Sequence, residues 1–326
     1  MQNIRTDLAI ERHALLTETA QELTGVTLSD SWEDDIKTTR VTIKDKGAAQ
    51  QLKKPAGTYV TLQLTDLRYM KNESYEAACK QIAREITAML NPISKKKQPV
   101  LIIGLGNRAI TSDSLGPAVI DRLMITRHLF SQAPETITEN LGSVCAIAPG
   151  VLGITGIETE EIIRGVTEKV NPCAIICVDA LAARSMDRVM RTIQICDTGI
   201  NPGSGVGNNR KEISQKTMGV PVLAIGVPTV VDAATITHDT LNIVIDSLLD
   251  AENEQNSAFF NMLKNLDSDE RFSLIQSSVS KETPNFLTTP KEIDIFINKA
   301  AEIVANGINF ALHKDITFSD IQQYIS

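Results

Sequence analysis

The sequence lacks the features that mark secreted, membrane-spanning and DNA-binding proteins. No apolar run approaches the ~18 residues that cross a bilayer, and the N-terminus has no apolar segment of the signal-peptide type. Basic residues are outnumbered, with 32 Lys and Arg against 40 Asp and Glu, so the net charge is −8 and no basic block dominates. We therefore expect a soluble cytoplasmic protein that contacts neither membranes nor nucleic acid directly.

Cysteine is scarce, and histidine shows no zinc-type spacing. A sparse, odd-numbered set of cysteines argues against a disulfide framework. The five cysteines are Cys79, Cys145, Cys173, Cys177 and Cys196. Cys173 and Cys177 lie in an apolar run with no second cysteine pair and no histidine nearby, so we interpret them as core residues. These residue types predict no metal site.

Three common enzyme motifs are also missing. Gly104 and Gly106 follow an apolar run, but position 109 is Ala, so the third glycine of a dinucleotide-binding loop is absent. The glycine-rich loop 202–208 lacks the Lys-Ser/Thr of a P-loop, and Ser204 lacks the surroundings of a nucleophile elbow. We interpret both loops as turns or peptide-contacting segments, and we do not expect a serine hydrolase.

What the chain does contain is a series of apolar strands that alternate with helical segments. Its composition, 42% apolar and 22% charged, is ordinary for a globular protein. Continuous apolar runs are typical of strands buried on both faces of a parallel sheet. Such strands are predicted at 99–105, 143–148, 173–178, 192–196 and 220–227, and helices at 115–130, 158–169 and 233–249. The predicted fold class is α/β, a mainly parallel sheet flanked by helices.

Outside this region the sequence predicts additional small elements. Alternating runs indicate strands at 39–43 and 59–64, and apolar residues at helical spacing indicate helices at 6–23 and 75–90. The stretch 251–290 is polar and typical of an irregular insertion, and 291–313 predicts a C-terminal helix. At about 150 residues per domain, the length allows two domains or one large one.

Aspartates follow three of the predicted strands. In open α/β sheets, ligands bind at the carboxyl ends of the strands, where Asp113, Asp179 and Asp197 are expected. Two carboxylates held close together cannot both ionise easily, so one stays protonated and the pair offers an acid and a base. Such a pair can activate water against a peptide carbonyl. Each aspartate has a simpler interpretation, as a helix cap for Asp113 and as a turn residue for the other two.

Several long runs around these aspartates resemble the germination proteases of spore-forming bacteria, which degrade small acid-soluble spore proteins. The resemblance extends from about residue 4 to 313. Its strongest runs are Gly-Leu-Gly-Asn at 104–107, Thr-Ser-Asp-Ser-Leu-Gly-Pro at 111–117, the stretch 148–159, Asp-Ala-Leu-Ala-Ala-Arg at 179–184, and the stretches 197–208, 219–233 and 289–294. Because the runs span nearly the whole chain, we expect a single large domain over residues 8–326, with its α/β core at 99–250.

The resemblance implies a site. The family's two essential aspartates correspond to Asp113 and Asp179, and Glu158, Asp197 and Arg184 are candidates for supporting roles. The family is grouped with aspartic-type peptidases, and its core is similar to that of the hydrogenase maturation proteases. Those relatives place acidic residues and a histidine around a metal, so a metal role stays open although no cofactor is expected. Arg184 or Arg188 is expected to hold the acidic side chain that precedes the cut bond.

The resemblance also implies activation by self-cleavage. Family members are inactive tetrameric zymogens that remove a propeptide in the developing spore, and they cut after an acidic and before an apolar residue. The run Thr6-Asp7-Leu8-Ala9-Ile10-Glu11 has the same order of residue types as their substrates. We therefore expect residues 1–7 to be a propeptide, removed by a cut between Asp7 and Leu8. The alternative is that Thr6 or Asp7 caps a helix.

Three functions are thus open. The first is an aspartic-type endopeptidase, a homotetramer in the forespore or spore core whose partners are small acid-soluble spore proteins. The second is a metal-dependent hydrolase on the same fold. The third is an inactive homologue that binds spore proteins without cutting them.

Overall fold

The structure, a computed structural model, describes residues 6–18, 24–90, 98–132, 140–203, 210–237, 240 and 286–325. Within these ranges one sheet contains the strands β1 (Val26–Glu33), β2 (Ile36–Ile43), β3 (Gly57–Gln63), β4 (Val100–Gly104), β5 (Val144–Ile147), β6 (Ala174–Ala183), β7 (Thr192–Cys196), β8 (Val222–Asp232) and β9 (Leu287–Thr288). The strand order is β1-β2-β3-β7-β8-β6-β4-β5, and β9 pairs with β8. All five strands predicted at 99–227 are present.

The prediction of a mainly parallel sheet is wrong. The pairs β4–β5, β4–β6 and β6–β8 are parallel, whereas β1–β2, β2–β3, β3–β7, β7–β8 and β8–β9 are antiparallel. The sheet is therefore mixed, with a parallel half that carries the predicted core and an antiparallel half built largely from the N-terminal strands. The α/β class stands, because helices flank this large sheet.

Short connections explain the antiparallel half. β1 and β2 are joined by Asp34 and Asp35 alone, both in the left-handed region with φ of 48° and 64°, as in the tight turns that favour hairpins. Eight residues, 184–191, join β6 to β7, and a parallel crossover needs about a dozen or more. The sequence did not predict β1 because almost all of it is exposed and no apolar alternation marks it.

The helices within the described ranges are α1 (Ala9–Glu18), α2 (Lys46–Leu52), α3 (Asn72–Leu90), α4 (Leu115–Ile120), α5 (Leu129–Gln132), α6 (Leu152–Thr155), α7 (Thr159–Val170), α8 (Gln215–Met218), α9 (Ile293–Leu312) and α10 (Phe318–Ile325). The helix predicted at 115–130 is broken into α4 and α5. Between them the backbone N–H groups of Thr126 and Arg127 donate to the carbonyl oxygen of Val144. Pairing with β5 thus takes the chain out of the helix.

Other predicted elements are confirmed with shifted ends or fall outside the described residues. The predicted helices 75–90 and 291–313 correspond to α3 and α9, while α10 was not predicted. Residues 233–237 are helical as predicted, but nearly all of 238–249 lies outside the described residues. Most of the predicted insertion, 251–285, lies outside them too, and β9 follows it.

Apolar side chains cover both faces of the parallel half. Along β4, Ile102 belongs to one buried cluster, and Leu101 and Ile103 belong to another on the opposite face. α3, α4 and α9 pack against the first face, where Gly307 of α9 lies so close to α3 that a Cβ atom would come within 2.4 Å of Ile82. Burial on both faces is why the continuous apolar runs predicted these strands correctly.

Cys173 and Cys177 are buried core residues, as expected. All five cysteines are free thiols, four of them buried and Cys145 half-buried. No helix in the described part of the chain is long and apolar enough to span a membrane. The sheet extends beyond the predicted core of 99–250, because β3 pairs with β7 and so joins the N-terminal strands to it.

Candidate active site

A cavity of about 690 Å³ opens at the carboxyl ends of β4 and β6. Asp113 and Asp179, the two aspartates expected to be essential, both line it. Asp7, the acidic residue of the expected cut site, lines the same cavity. The structure therefore brings the candidate pair and the candidate cut site together, although they are far apart in sequence.

Asp113 is positioned by the turn that follows β4. It ends a 3₁₀ turn, residues 111–113, and its Oδ2 accepts the backbone N–H of Asn107 at 2.9 Å. The loop folds back so closely that a Cβ on Gly106, whose φ is +113°, would lie 2.0 Å from the carbonyl oxygen of Asp113. Only glycine fits this approach. On β8, the hydroxyl of Thr229 donates to the carbonyl oxygen of Ser112 and ties the turn to the sheet.

Asp179 lies inside a strand rather than on a loop. It is part of β6, only 6% exposed, and its Oδ1 accepts the N–H of Ala180 at 2.9 Å. Burial raises the pKa of Asp179 well above its ordinary value, and the neighbouring charges of Asp113 and then Asp7 raise it further. The Ala180 N–H and the charge of Arg210 act in the opposite direction.

Asp113 is also held above its ordinary pKa, mainly by burial. The N–H of Asn107 and the charge of Arg210 oppose this rise. Two interacting carboxyls with raised pKa values titrate as a pair, so that one can hold a proton while the other is ionised. The pair is therefore suited to hold an acid and a base at the same place.

The expected cut site is bound along β6. The N–H of Asp7 donates to the carbonyl oxygen of Ala182 at 2.9 Å, and the N–H of Ala182 donates back to Oδ2 of Asp7 at 3.0 Å. The carbonyl oxygen of Asp7 accepts hydrogen bonds from Lys54 Nζ and Gln194 Nε2. The chain on the amino side of the Asp7–Leu8 bond is thus held by both backbone and side-chain groups.

The residues after that bond are buried. Leu8 is fully buried in the main apolar cluster. Glu11 accepts backbone N–H groups from Arg184 at 2.8 Å and Ser185 at 3.0 Å, and it also accepts the hydroxyl of Thr6. The N–H of Leu8 donates to the Thr6 hydroxyl oxygen at 3.0 Å. This bond closes a turn just before α1, which begins at Ala9, and is not a bond to an N–H of the helix.

The three candidates for supporting roles do not line the cavity. Asp197 is exposed at the end of β7, where its Oδ1 accepts the N–H of Thr58 and joins β7 to β3. Glu158 is the residue before α7. Arg184 donates its backbone N–H to Glu11, four residues after the expected cut, whereas the carboxylate of Asp7 is bound by the N–H of Ala182.

Four cavity residues have no counterpart among the sequence-based candidates. Lys54 and Gln194 contact Asp7, and the charge of Arg210 acts on both aspartates. Arg12 also lines the cavity, where burial lowers its pKa and the carboxylates of Asp7 and Glu11 raise it. Gln194 left one signal in the sequence, a polar residue in the otherwise strand-like Thr-Ile-Gln-Ile-Cys run. Arg12, Lys54 and Arg210 lie in polar segments of the sequence, where nothing distinguishes them from other basic residues.

Within the ranges that the structure describes, no group of three or more His, Cys, Asp and Glu side chains is arranged to hold a metal ion. Neither His13 nor His313 lines the cavity.

Comparisons with known proteins agree with the geometry. The family model described as germination protease matches residues 4–257 and 246–325. A germination protease of Clostridium acetobutylicum is 45% identical over 331 aligned residues, covering 100% of both chains. Germination proteases of Caldanaerobacter subterraneus and Bacillus cytotoxicus are 43% and 42% identical, covering 99% and 96% of this chain and 98% and 94% of their own. The chain belongs to the germination protease family and is a protease with a role in spore germination.

Proposed function

We propose that this chain is an aspartic-type endopeptidase that starts the degradation of small acid-soluble spore proteins, and that it is made as a zymogen that cuts its own Asp7–Leu8 bond. The observation that carries the proposal is that Asp7 shares a cavity with Asp113 and Asp179. The charge of Asp7 contributes to the raised pKa of Asp179. The family membership supports the protease activity itself.

In the proposed reaction, the ionised carboxylate of the pair takes a proton from water while the water oxygen bonds to the carbonyl carbon of Asp7. The protonated carboxyl of the pair then gives its proton to the nitrogen of Leu8, and the carbon–nitrogen bond breaks. The products are a new carboxylate at residue 7 and a new amine at residue 8. Asp179 is the more deeply buried of the two, which favours it as the protonated member before attack.

The same cavity would serve spore-protein substrates after residues 1–7 have left. A substrate with an acid before the cut bond would place it at Ala182, as Asp7 does. A second acid four residues after the cut would accept the N–H groups of Arg184 and Ser185, as Glu11 does. We place the enzyme as a homotetramer in the spore core, without direct contact to nucleic acid.

The test is cleavage of a purified small acid-soluble spore protein by the variants Asp113→Asn and Asp179→Asn. Each is expected to lower the rate at least about 100-fold, because an acid or a base is lost. Asp294→Asn, at an exposed aspartate of α9, is the matched control and should cleave at the wild-type rate. Wild-type rates in both cavity variants would overturn the assignment, and a wild-type chain that binds without cutting would favour an inactive homologue.

A chelator separates the proposal from a metal-dependent hydrolase. Wild-type activity should be unchanged after treatment with EDTA. Loss of activity that an added divalent cation restores would show that the reaction needs a metal, and it would replace the two-aspartate mechanism.

A further inference from the structure

Two side chains converge on the carbonyl oxygen of Asp7. Lys54 Nζ donates to it at 2.8 Å, and Gln194 Nε2 donates at 3.2 Å. In the proposed reaction this oxygen belongs to the bond that is cut, so it gains negative charge when water attacks. Donors held at that oxygen in a buried site stabilise the charge more strongly than water does.

Gln194 is fixed by the same segment that it contacts. It is buried in β7, and its Oε1 accepts the N–H of Ala9 at 2.8 Å while its Nε2 donates to the carbonyl oxygen of Asp7. The amide therefore bridges the backbone on the two sides of the Asp7–Leu8 bond. Because the oxygen faces a donor and the nitrogen faces an acceptor, its orientation follows from the contacts.

Strand register places Gln194 opposite the aspartate pair. Gln194 of β7 pairs with Gly226 of β8, and Gly226 pairs with Asp179 of β6. Residues in register on neighbouring strands point to the same face, so Asp179 and Gln194 face the cavity from strands two spacings apart, about 10 Å. Gly226 between them has no side chain, and the side chain of Leu181 lies over it, since a Cβ at Gly226 would come within 2.4 Å of Leu181. Asp179, Gln194 and Gly226 all line the cavity.

Lys54 reaches the oxygen from the segment between α2 and β3, the strand that pairs with β7. The chain leaves α2 through Lys53, which has a left-handed φ of 52°, and the N–H of Lys54 then donates to the carbonyl oxygen of Ala49. This turn aims the half-buried Lys54 side chain at Asp7. Burial lowers the pKa of Lys54, while the Asp7 carboxylate opposes that shift. The ammonium is the only one of the two donors that carries a full positive charge.

We propose that Lys54 and Gln194 form the oxyanion site of this peptidase, the pair of donors that stabilises negative charge on the carbonyl oxygen of the bond that is cut. This inference rests on the proposed function. As the water oxygen bonds to the carbonyl carbon of Asp7, the carbonyl π electrons move onto the oxygen that these two groups hold. When the carbon–nitrogen bond breaks, the electrons return to form the new carboxyl group and the proton from the aspartate pair goes to Leu8. Neither Lys54 nor Gln194 gains or loses a proton in this step.

The experiment is the first-order rate of self-cleavage in the purified full-length chain, followed by intact mass. Lys54→Met is expected to slow the cut about 100-fold, in line with the loss of one oxyanion donor, and Lys54→Arg to recover the rate to within about tenfold of wild type. Gln194→Glu keeps the acceptor for Ala9 but loses the donor, and it should slow the cut at least about tenfold. Lys44→Met, at an exposed lysine outside the cavity, should cut at the wild-type rate.

The thermal midpoint of each variant distinguishes catalysis from folding. Slow cutting by Lys54→Met with a midpoint within about 2 °C of wild type, together with recovery in Lys54→Arg, supports the oxyanion role. A wild-type rate in Lys54→Met overturns it, and so does slow cutting that accompanies a large fall in midpoint and no recovery in Lys54→Arg. If Asp113→Asn and Asp179→Asn are inactive while Lys54→Met is fully active, this inference fails and the proposed function stands. If the aspartate variants cut normally, the proposed function fails first.

Discussion

At the scale of single residues, the raised pKa of Asp179 suits its proposed catalytic role but lowers the stability of the folded chain when the side chain is ionised. The burial and the neighbouring carboxylates that hold a proton on it also make its ionised form unfavourable in the folded chain. Any group whose pKa differs between the folded and unfolded states makes stability depend on pH. The raised pKa of Asp179 can therefore be tested through the pH dependence of stability, without an activity assay.

We expect Asp179→Asn to stabilise the protein at pH 8. Because the folded-state pKa of Asp179 is raised, the folded chain binds more protons than the unfolded chain above pH ~4, and wild-type stability falls as pH rises through that window. Asparagine removes this loss and can still accept the N–H of Ala180. The thermal midpoint should rise by roughly 2–4 °C for each ~1 kcal/mol relieved.

The gain should shrink as pH falls through about 4 and approach zero near pH 3, where Asp179 is protonated in the folded chain and mostly protonated in the unfolded chain. His313, whose pKa burial lowers to about 4, destabilises the folded chain as pH falls from about 6.5. It does so equally in both proteins and cancels in the comparison. A difference in midpoint that is zero at pH 8, or that grows towards pH 4, would contradict the assignment of a raised pKa to Asp179.

The sequence predicts the groups that we propose to act on water, but not those that we propose to hold the carbonyl oxygen. Asp113 and Asp179 follow or end apolar runs, and family resemblance selected them over Asp197. Lys54 and Gln194 reach the cavity through the C-terminal turn of α2 and the register of β7, and the local sequence predicts neither that turn nor that register. Contacts between distant strands are set by tertiary pairing.

At the scale of elements, the 3₁₀ turn 111–113 is held by close backbone approach. Gly106 allows the loop after β4 to touch the carbonyl oxygen of Asp113. The aspartate is therefore positioned by a backbone contact as well as by its own hydrogen bond to Asn107.

Gly106→Ala is expected to displace Asp113 and lower both stability and activity. An alanine there would be strained at a φ of +113°, and its Cβ would lie 2.0 Å from the Asp113 carbonyl oxygen. We expect a loss of at least about 2 kcal/mol in unfolding free energy, measured by urea denaturation, with cleavage of the spore protein reduced at least about tenfold.

Gly165→Ala in α7 is the matched control. No atom lies within 4 Å of a Cβ at that position, so alanine should stabilise the helix by about 0.5–1 kcal/mol and leave cleavage unchanged. Equal effects of the two substitutions would argue against a special constraint at Gly106.

The sequence predicted the parallel half of the sheet better than the antiparallel half. β4 and β6 are apolar on both faces, which gives a continuous signal, whereas β1 is exposed and polar. The helix predicted at 115–130 failed because the backbone of Thr126 and Arg127 pairs with Val144, a competition that residue periodicity does not register.

At the scale of the whole molecule, the cavity joins distant parts of the described chain, because Thr6 and Asp7 line it together with residues of β8 and β9.

The association of several chains into an oligomer also belongs to this scale. β1 is an edge strand on which Leu28 is 44% and Trp32 is 71% exposed. Exposed apolar side chains on a free strand edge favour pairing with another chain.

We expect the purified protein to have four times the 35.6 kDa mass of one chain, and Trp32→Glu to lower that mass. Ser31→Glu, at the neighbouring exposed position of β1, adds the same charge without removing an apolar contact. Light scattering after size-exclusion chromatography measures both. A monomeric wild type would contradict the tetramer, and an unchanged mass in Trp32→Glu would place the interface elsewhere.

The central claim is that Asp113 and Asp179 cut the chain's own Asp7–Leu8 bond. Intact mass and N-terminal sequencing of the full-length protein after incubation test it most directly. The wild-type chain should lose residues 1–7 and begin at Leu8, while Asp113→Asn and Asp179→Asn should keep those residues under the same conditions. A wild-type chain that begins at another residue, or aspartate variants that are cut at Leu8 as fast as wild type, would contradict the account.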